Sequence, residues 1–171
     1  AIAAAPGRPA KEDYEYERNG TGDVFLLLRP LLGWRHLEVT ARRGCLEFAQ
    51  LMKDLVDVHF PKAETIRVVL DNLNTHVFGA LYEAFTPEEA RRIARRLEFH
   101  YTPKHGSWLN MAEMEFSVLS RQCLDRRIAT TQEPADAIAA WERERNEART
   151  KIEWTFRIAD ARRKLHWIYP S

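Results

Sequence analysis

A mixed α/β fold, with a sheet covered by helices, is what this sequence predicts, and three observations predict it. The run Thr65–Leu70 (TIRVVL) is short, β-branched and largely apolar, as suits a strand buried on both faces of a parallel sheet. The runs Val24–Leu28 and His36–Thr40 flank the turn-like Leu31-Leu32-Gly33-Trp34, the pattern of a hairpin. Segments with apolar residues at helical spacing separate and follow these strands.

In chain order, residues 1–22, polar from Pro6 onward with proline and glycine, form an extended lead-in to one domain over 23–171. The hairpin follows. Cys45–Phe60 carries apolar residues at 46, 48, 51, 52, 55, 56 and 58, close to helical spacing, and Pro61 stops it. TIRVVL ends at Asp71-Asn72. Phe78–Phe85 is a short helix. Thr86-Pro87-Glu88-Glu89 opens another, with threonine at the N-cap, proline at the first helical position and Glu89 three residues on. Leu97–Thr102 (LEFHYT) alternates as a strand and Pro103 ends it. Leu109–Leu124 is a helix. Pro134–Thr150 is a charged helix with Ile138 and Trp141 on its apolar side. The tail holds Trp154, Phe156, Ile158, Leu165, Trp167, Ile168 and Tyr169 and is apolar enough to pack back on the domain.

The 171 residues suffice for one domain with a real core, and 45% hydrophobic content argues against disorder. Lys+Arg number 26 against 25 Asp+Glu, so whole-chain charge neither supports nor excludes nucleic acid; a clustered basic face would have to do so. Cys45 and Cys123 lack metal-ligand spacing and read as free thiols of a cytosolic protein. No stretch approaches the roughly 20 apolar residues of a membrane span. Ala1–Ala5 has no basic segment before it and reads as no signal peptide; without an initiator Met, the expectation is a chain that begins inside a longer reading frame.

Asp71 stands where TIRVVL ends, and ligands of open α/β sheets bind beyond the carboxyl ends of strands. The alternative is an Asx turn, which Asp-Asn also favours. Glu113 and Glu115 lie in LNMAEMEF. Glu113 falls four residues after Leu109 and three before Phe116, on or beside the inward face, while Glu115 is rotated by about 200° from it. An acid bordering an apolar face needs a partner or a cation; a solvated helix carboxylate is the alternative. Asn72 and His76 follow Asp71 in DNLNTH, where a histidine orients a carboxylate, contacts phosphate or caps a loop. The loop HYTPKHGSWLN offers Lys104, His105, Ser107, Trp108 and Asn110 for phosphate contacts and base stacking, or makes an ordinary surface turn with Trp108 as an anchor. Arg91, Arg92, Arg95 and Arg96 share a helix flank just before the strand that leads to this loop; such runs are commonly solvated faces.

On LDNLNTH (70–76) and HYTPKHGSWLNMAEMEF (100–116) the sequence resembles the Asp-Asp-Glu (DDE) transposases of the mariner-like superfamily, in their bacterial insertion-sequence branch. In that family a strand ends in Asp-Asn with a histidine shortly after, and a later strand leads into Ser-x-x-Leu-Asn-x-x-Glu. Here the signature reads Ser107-Trp108-Leu109-Asn110-Met111-Ala112-Glu113, one residue shorter between Ser and Leu, which places the third carboxylate on Glu113 rather than Glu115.

The resemblance implies an RNase H-like fold. It makes Asp71 the second and Glu113 the third catalytic acid, holding two Mg²⁺ ions (Mn²⁺ as a substitute). One ion activates the attacking water or 3′-hydroxyl and the other stabilises the leaving oxygen. The reaction implied is phosphodiester cleavage at element ends and strand transfer into target DNA, in a bacterial, nucleoid-associated setting. No small-molecule cofactor and no membrane are implied, and a homodimer is left open.

Two departures accompany the likeness. There are 41 residues between the acids, longer than is usual, and the helix Pro87–Arg96 accounts for the excess. The first acid, and the helix-turn-helix region before it, have no counterpart: Asp13 and Asp23 lie off any matching strand. The expectation is a sheet without its first strand, which would leave the edges beside TIRVVL and Val24–Leu28 unpaired, and a fragment inactive alone. Two other readings stand beside this one. The first is a degenerate, non-catalytic module that pairs with an intact transposase. The second is another RNase H-like nuclease that takes its first acid from Asp13 or Asp23.

Overall fold

The structure is a computed structural model that describes residues 22–103, 110–125, 132–155 and 157–165. Strands β1 (Asp23–Arg29) and β2 (Trp34–Thr40) form the expected antiparallel hairpin, with Val24 opposite Val39 and Leu26 opposite Leu37. The turn depends on Gly33, whose φ of 66° lies in the left-handed region. A side chain there would collide with the backbone of Arg149.

Helix α1 (Cys45–Asp54) continues into a π-helical turn, Leu55–His59. The Glu47 carboxylate accepts the Gly44 N–H at 3.1 Å, satisfying one orphan donor of the helix start. The predicted stripe holds at Phe48, Leu51, Met52, Leu55 and Val56 but fails at its ends. Leu46 and Val58 are exposed, because the helix has barely begun at one and has widened into the π-turn at the other.

Strand β3 (Ile66–Leu70) pairs in parallel with β4 (Leu97–Tyr101), Val68 opposite Phe99 and Leu70 opposite Tyr101. Between them run α2 (Gly79–Ala84) and α3 (Pro87–Ala94), the latter capped by Thr86 as its sequence predicts. The expectation that β3 is buried on both faces is corrected. Ile66, Val68 and Leu70 face the core, while Arg67 and Val69 are exposed, so among the described residues only one face is covered. Among the described residues β1 pairs only with β2 and β3 only with β4.

Helix α4 (Met111–Leu119) ends in a second π-turn, Ser120–Leu124, and is followed by α5 (Gln132–Glu147) and α6 (Ile158–Leu165). The tail thus contains a helix that the sequence reading did not foresee; Phe156 and residues 166–171 lie outside the described residues.

The hairpin is the middle layer. Phe25 and Leu27 point into a core built from α1, α2, α3, β3 and β4. Leu37, with Val24, Leu26 and Val39 beside it, points the opposite way, onto Leu119, Ile138 and Trp141 of α4 and α5. Each fully buried aliphatic side chain contributes about 1.5–3 kcal/mol. The outer edge of β2 is closed by side chains of α5. Asn146 pairs with both backbone groups of Arg35, each at 2.8 Å, and Glu142 accepts the Leu37 N–H at 2.8 Å.

Candidate active site at the end of the third strand

Asp71 follows the last residue of β3, and the loop that begins there folds over the strand ends. Its Oδ1 accepts from His76 Nδ1 at 2.7 Å and, more weakly, from the Leu73 N–H at 3.4 Å. Both readings of Asp71 therefore hold at once: it makes the Asx-type turn, and it stands at the carboxyl end of a parallel strand. The side chain is one-third exposed, and among the described residues its Oδ2 makes no hydrogen bond.

His76 is held by packing on three sides. Its ring stacks on Phe48 (centroids 4.7 Å, 26°) and lies 6.2 Å from Phe25. Its carbonyl accepts from Tyr101 Oη at 2.8 Å. Nε2 is buried without a partner among the described residues. Asn72 donates Nδ2 to the Thr102 carbonyl at 2.6 Å, and Thr102 donates its N–H to the Leu70 carbonyl at 2.8 Å, tying the loop to the end of β4. Three side-chain atoms at this end, His76 Nε2, Thr75 Oγ1 and Thr102 Oγ1, are buried without partners among the described residues. A folded protein rarely leaves such groups together.

Glu113 sits in the first turn of α4 and is exposed; Glu115 is 1% exposed. The inward placement expected for Glu113 is thus corrected: the inward acid is Glu115. Arg145 Nε donates to its Oε1 at 2.9 Å, and Arg145 Nη2 reaches Oε2 at 3.3 Å. Arg35 Nε lies 2.8 Å from the same Oε1 as an ion pair. Arg35 is fully buried, and its remaining nitrogens donate to the carbonyls of Gly33 and Thr150. Burial lowers the Arg35 guanidinium from its usual range, against the pull of Glu115; arginine stays charged regardless. Both oxygens of Glu115 are committed to guanidinium groups, which leaves this carboxylate no role as a ligand.

Asn110 is the N-cap of α4, its Oδ1 accepting from the Ala112 N–H at 3.1 Å. Lys104, His105, Ser107 and Trp108 lie outside the described residues. Half of the basic stretch Arg91, Arg92, Arg95 and Arg96, which runs past the end of α3, proves structural. Arg92 joins Lys53, Asp57 and Glu89 in an ion network, and Arg96 donates to the carbonyls of Val56, Phe60, Pro61 and Ala63. Hydrogen bonds from Arg92 and Lys53 hold Glu89 down at about 2. Arg91 and Arg95 remain exposed.

The structure therefore brings together Asp71, His76 and, through Thr102, Asn72. Among the described residues no hydrogen bond joins Glu113 to this group, and no cluster of three or more potential metal ligands occurs. Sequence reasoning missed Arg35 and the aromatic residues Phe78, Phe99 and Tyr101 beside the Asp71 loop. The alternation of LEFHYT put 97, 99 and 101 on one face, so a signal for the last two was present.

A parallel strand ending in an oriented, part-exposed carboxylate, within layers of helices, defines an α/β domain with a candidate site at the carboxyl end of its strands. The family is specific: the family model for DDE superfamily endonuclease matches residues 1–134, and the chain belongs to that family. The mixed α/β architecture is consistent with its RNase H-like nuclease fold, and the family implies a DNA substrate. Searches of curated proteins and of solved structures found no match. Among the described residues no helix is long and apolar enough to cross a membrane.

Proposed function

We propose that this chain carries the second and third acids of a Mg²⁺-dependent DNA transposase of the mariner-like, insertion-sequence type. It would cut at element ends and transfer strands into target DNA. The observation that carries the reading is Asp71, held by His76 at the end of a parallel strand, in a member of the DDE family. The reading takes 23–171 as one catalytic domain working on DNA in the bacterial cytoplasm.

The donor chemistry fits a hard cation. Asp71 and Glu113 offer part-exposed or exposed carboxylate oxygens, which suit an ion that keeps waters and phosphate oxygens in its shell. These two residues would hold the metal, which when bound supplies Lewis-acid stabilisation to the phosphoryl oxygens. His76 fixes the direction of the Asp71 carboxylate, and Asn72 anchors the loop that bears it. Glu115, locked between two arginines, fixes the rotation of α4 and turns Glu113 outward.

The unjoined sheets support a further strand, bearing the first acid, between β1 and β3. The β2 edge is already closed by α5, and β1 and β3 share one core cluster. The test is nicking of element-end DNA by protein that includes this acid. Cleavage should be lost in Asp71→Asn and in Glu113→Gln and kept in a folded Glu115→Gln. Cleavage undiminished in Asp71→Asn contradicts the reading.

A further inference from the structure

The family match ends at residue 134, and α5 runs on to Glu147, nearly all of it beyond that point. Yet α5 supplies much of what holds α4 in place. The buried residues of α4 are Leu119 and Glu115. Leu119 shares an apolar cluster with Leu37, Ile138 and Trp141, and such contact has no preferred direction. Glu115 is held differently. Arg145 of α5 meets its carboxylate at two points, Nε to Oε1 at 2.9 Å and Nη2 to Oε2 at 3.3 Å, and stands 4.9 Å over the Trp141 ring. Arg35 Nε lies 2.8 Å from the same Oε1. The end of α5 is itself seated on the hairpin, because Asn146 pairs with both backbone groups of Arg35 and the Thr150 carbonyl accepts from Arg35 Nη2 at 2.6 Å.

We propose that Arg145 is a positioning residue for Glu113, acting through Glu115: α5 sets the rotation of α4 and with it the direction of the third acid. The inference rests on the reading of Glu113 as a metal ligand and adds to it a control from the segment beyond the family match. A buried ion cluster gains little net stability over apolar packing, because its charges give up their water. What it adds here is a single allowed geometry, since a planar guanidinium on a carboxylate fixes both distance and direction. Glu113 stands two residues before Glu115 on the same helix, about 3 Å along the axis and about 200° round it. Slack at Glu115 is therefore passed to Glu113. A misplacement of about 1 Å at a reacting centre can cost about 100-fold in rate.

The experiment is a cycle of Mn²⁺ affinities, read by electron paramagnetic resonance on four proteins: the unaltered chain, Arg145→Lys, Glu113→Gln and the two changes together. Lysine keeps the charge and loses the two-point contact. Arg145→Lys should weaken Mn²⁺ binding about fivefold or more, and should add nothing once Glu113 is glutamine. A role in stability alone would not depend on the residue at 113. Circular dichroism melting confirms that each protein is folded at the temperature of the titration. Arg145→Gln, which keeps a single donor amide, should show the same dependence on Glu113 and replaces the lysine variant if that one is unfolded. Unaltered binding by a folded Arg145 variant, equal weakening with and without Glu113, or unfolding of both Arg145 variants overturns the positioning role and leaves Glu113 as a ligand. Mn²⁺ binding unaltered by Glu113→Gln overturns both.

Discussion

Nδ1 of His76 lies 2.7 Å from Oδ1 of Asp71, and the imidazole that makes this bond packs on the core rings Phe48 and Phe25. The carboxylate is thus aimed by a rigid partner rather than by a mobile loop. An imidazole that donates to a ligand's carboxylate behaves as the outer support of a metal site, where loss typically costs about 10–100-fold in affinity or activity.

Replacing His76 with alanine should therefore cost about 10–100-fold in DNA cleavage by the complete enzyme. His76→Asn, whose amide can take the place of Nδ1, should recover much of that loss. The comparison of cleavage rates at saturating metal checks it. Equal defects in both variants would reduce His76 to a packing residue.

Glu113 and Glu115 should separate cleanly in stability. Removing one partner of a buried charge cluster costs about 3–5 kcal/mol, and Glu115→Ala should show that loss in urea unfolding. Glu113→Gln, on an exposed first turn, should fall within about 0.5 kcal/mol of the unaltered chain. The reverse order would mean that α4 is rotated from the position described.

The junction of β2, α1 and α5 should make stability depend on pH in two opposing steps. His36 Nδ1 meets Glu142 at 3.2 Å, and the rings of His36 and His59 are 4.4 Å apart, with Glu38 and Asp54 adding charge nearby. The Glu142 hydrogen bond raises His36 above its usual 6.5; its contribution is complete below 6.5 and fades as pH rises through the higher folded value. Burial, with the charge of His36, lowers His59; its contribution is complete above 6.5 and fades as pH falls through the lower folded value. Urea midpoints from pH 5 to 8.5 should show His36→Gln flattening the upper limb and His59→Gln the lower one.

Much of this was legible in the residues. The hairpin could be read from an apolar run and an alternating one around a turn, α3 from Thr86-Pro87, β3 from a β-branched run ended by Asp71 and β4 from alternation ended by Pro103, because each signal is local. The burial of Glu115 was not legible. Its partners Arg35 and Arg145 come from β2 and α5, and an acid inside a core makes sense only once its cations are placed. The one-sided burial of β3 was equally hidden, since it depends on which elements cover the sheet rather than on the strand itself. For the site, the position of Asp71 could be read, and its bond to His76 only as one of three roles open to that histidine. Four of the five proposed DNA contacts, Lys104, His105, Ser107 and Trp108, fall outside the described residues.

Electron paramagnetic resonance of Mn²⁺, titrated into the chain and into Asp71→Asn, Glu113→Gln and the double variant, tests the shared cation directly. If both acids hold one ion, each single change weakens binding and the double variant is little worse than the weaker single. Binding unaltered by Glu113→Gln, or two independent losses that simply add, would contradict it.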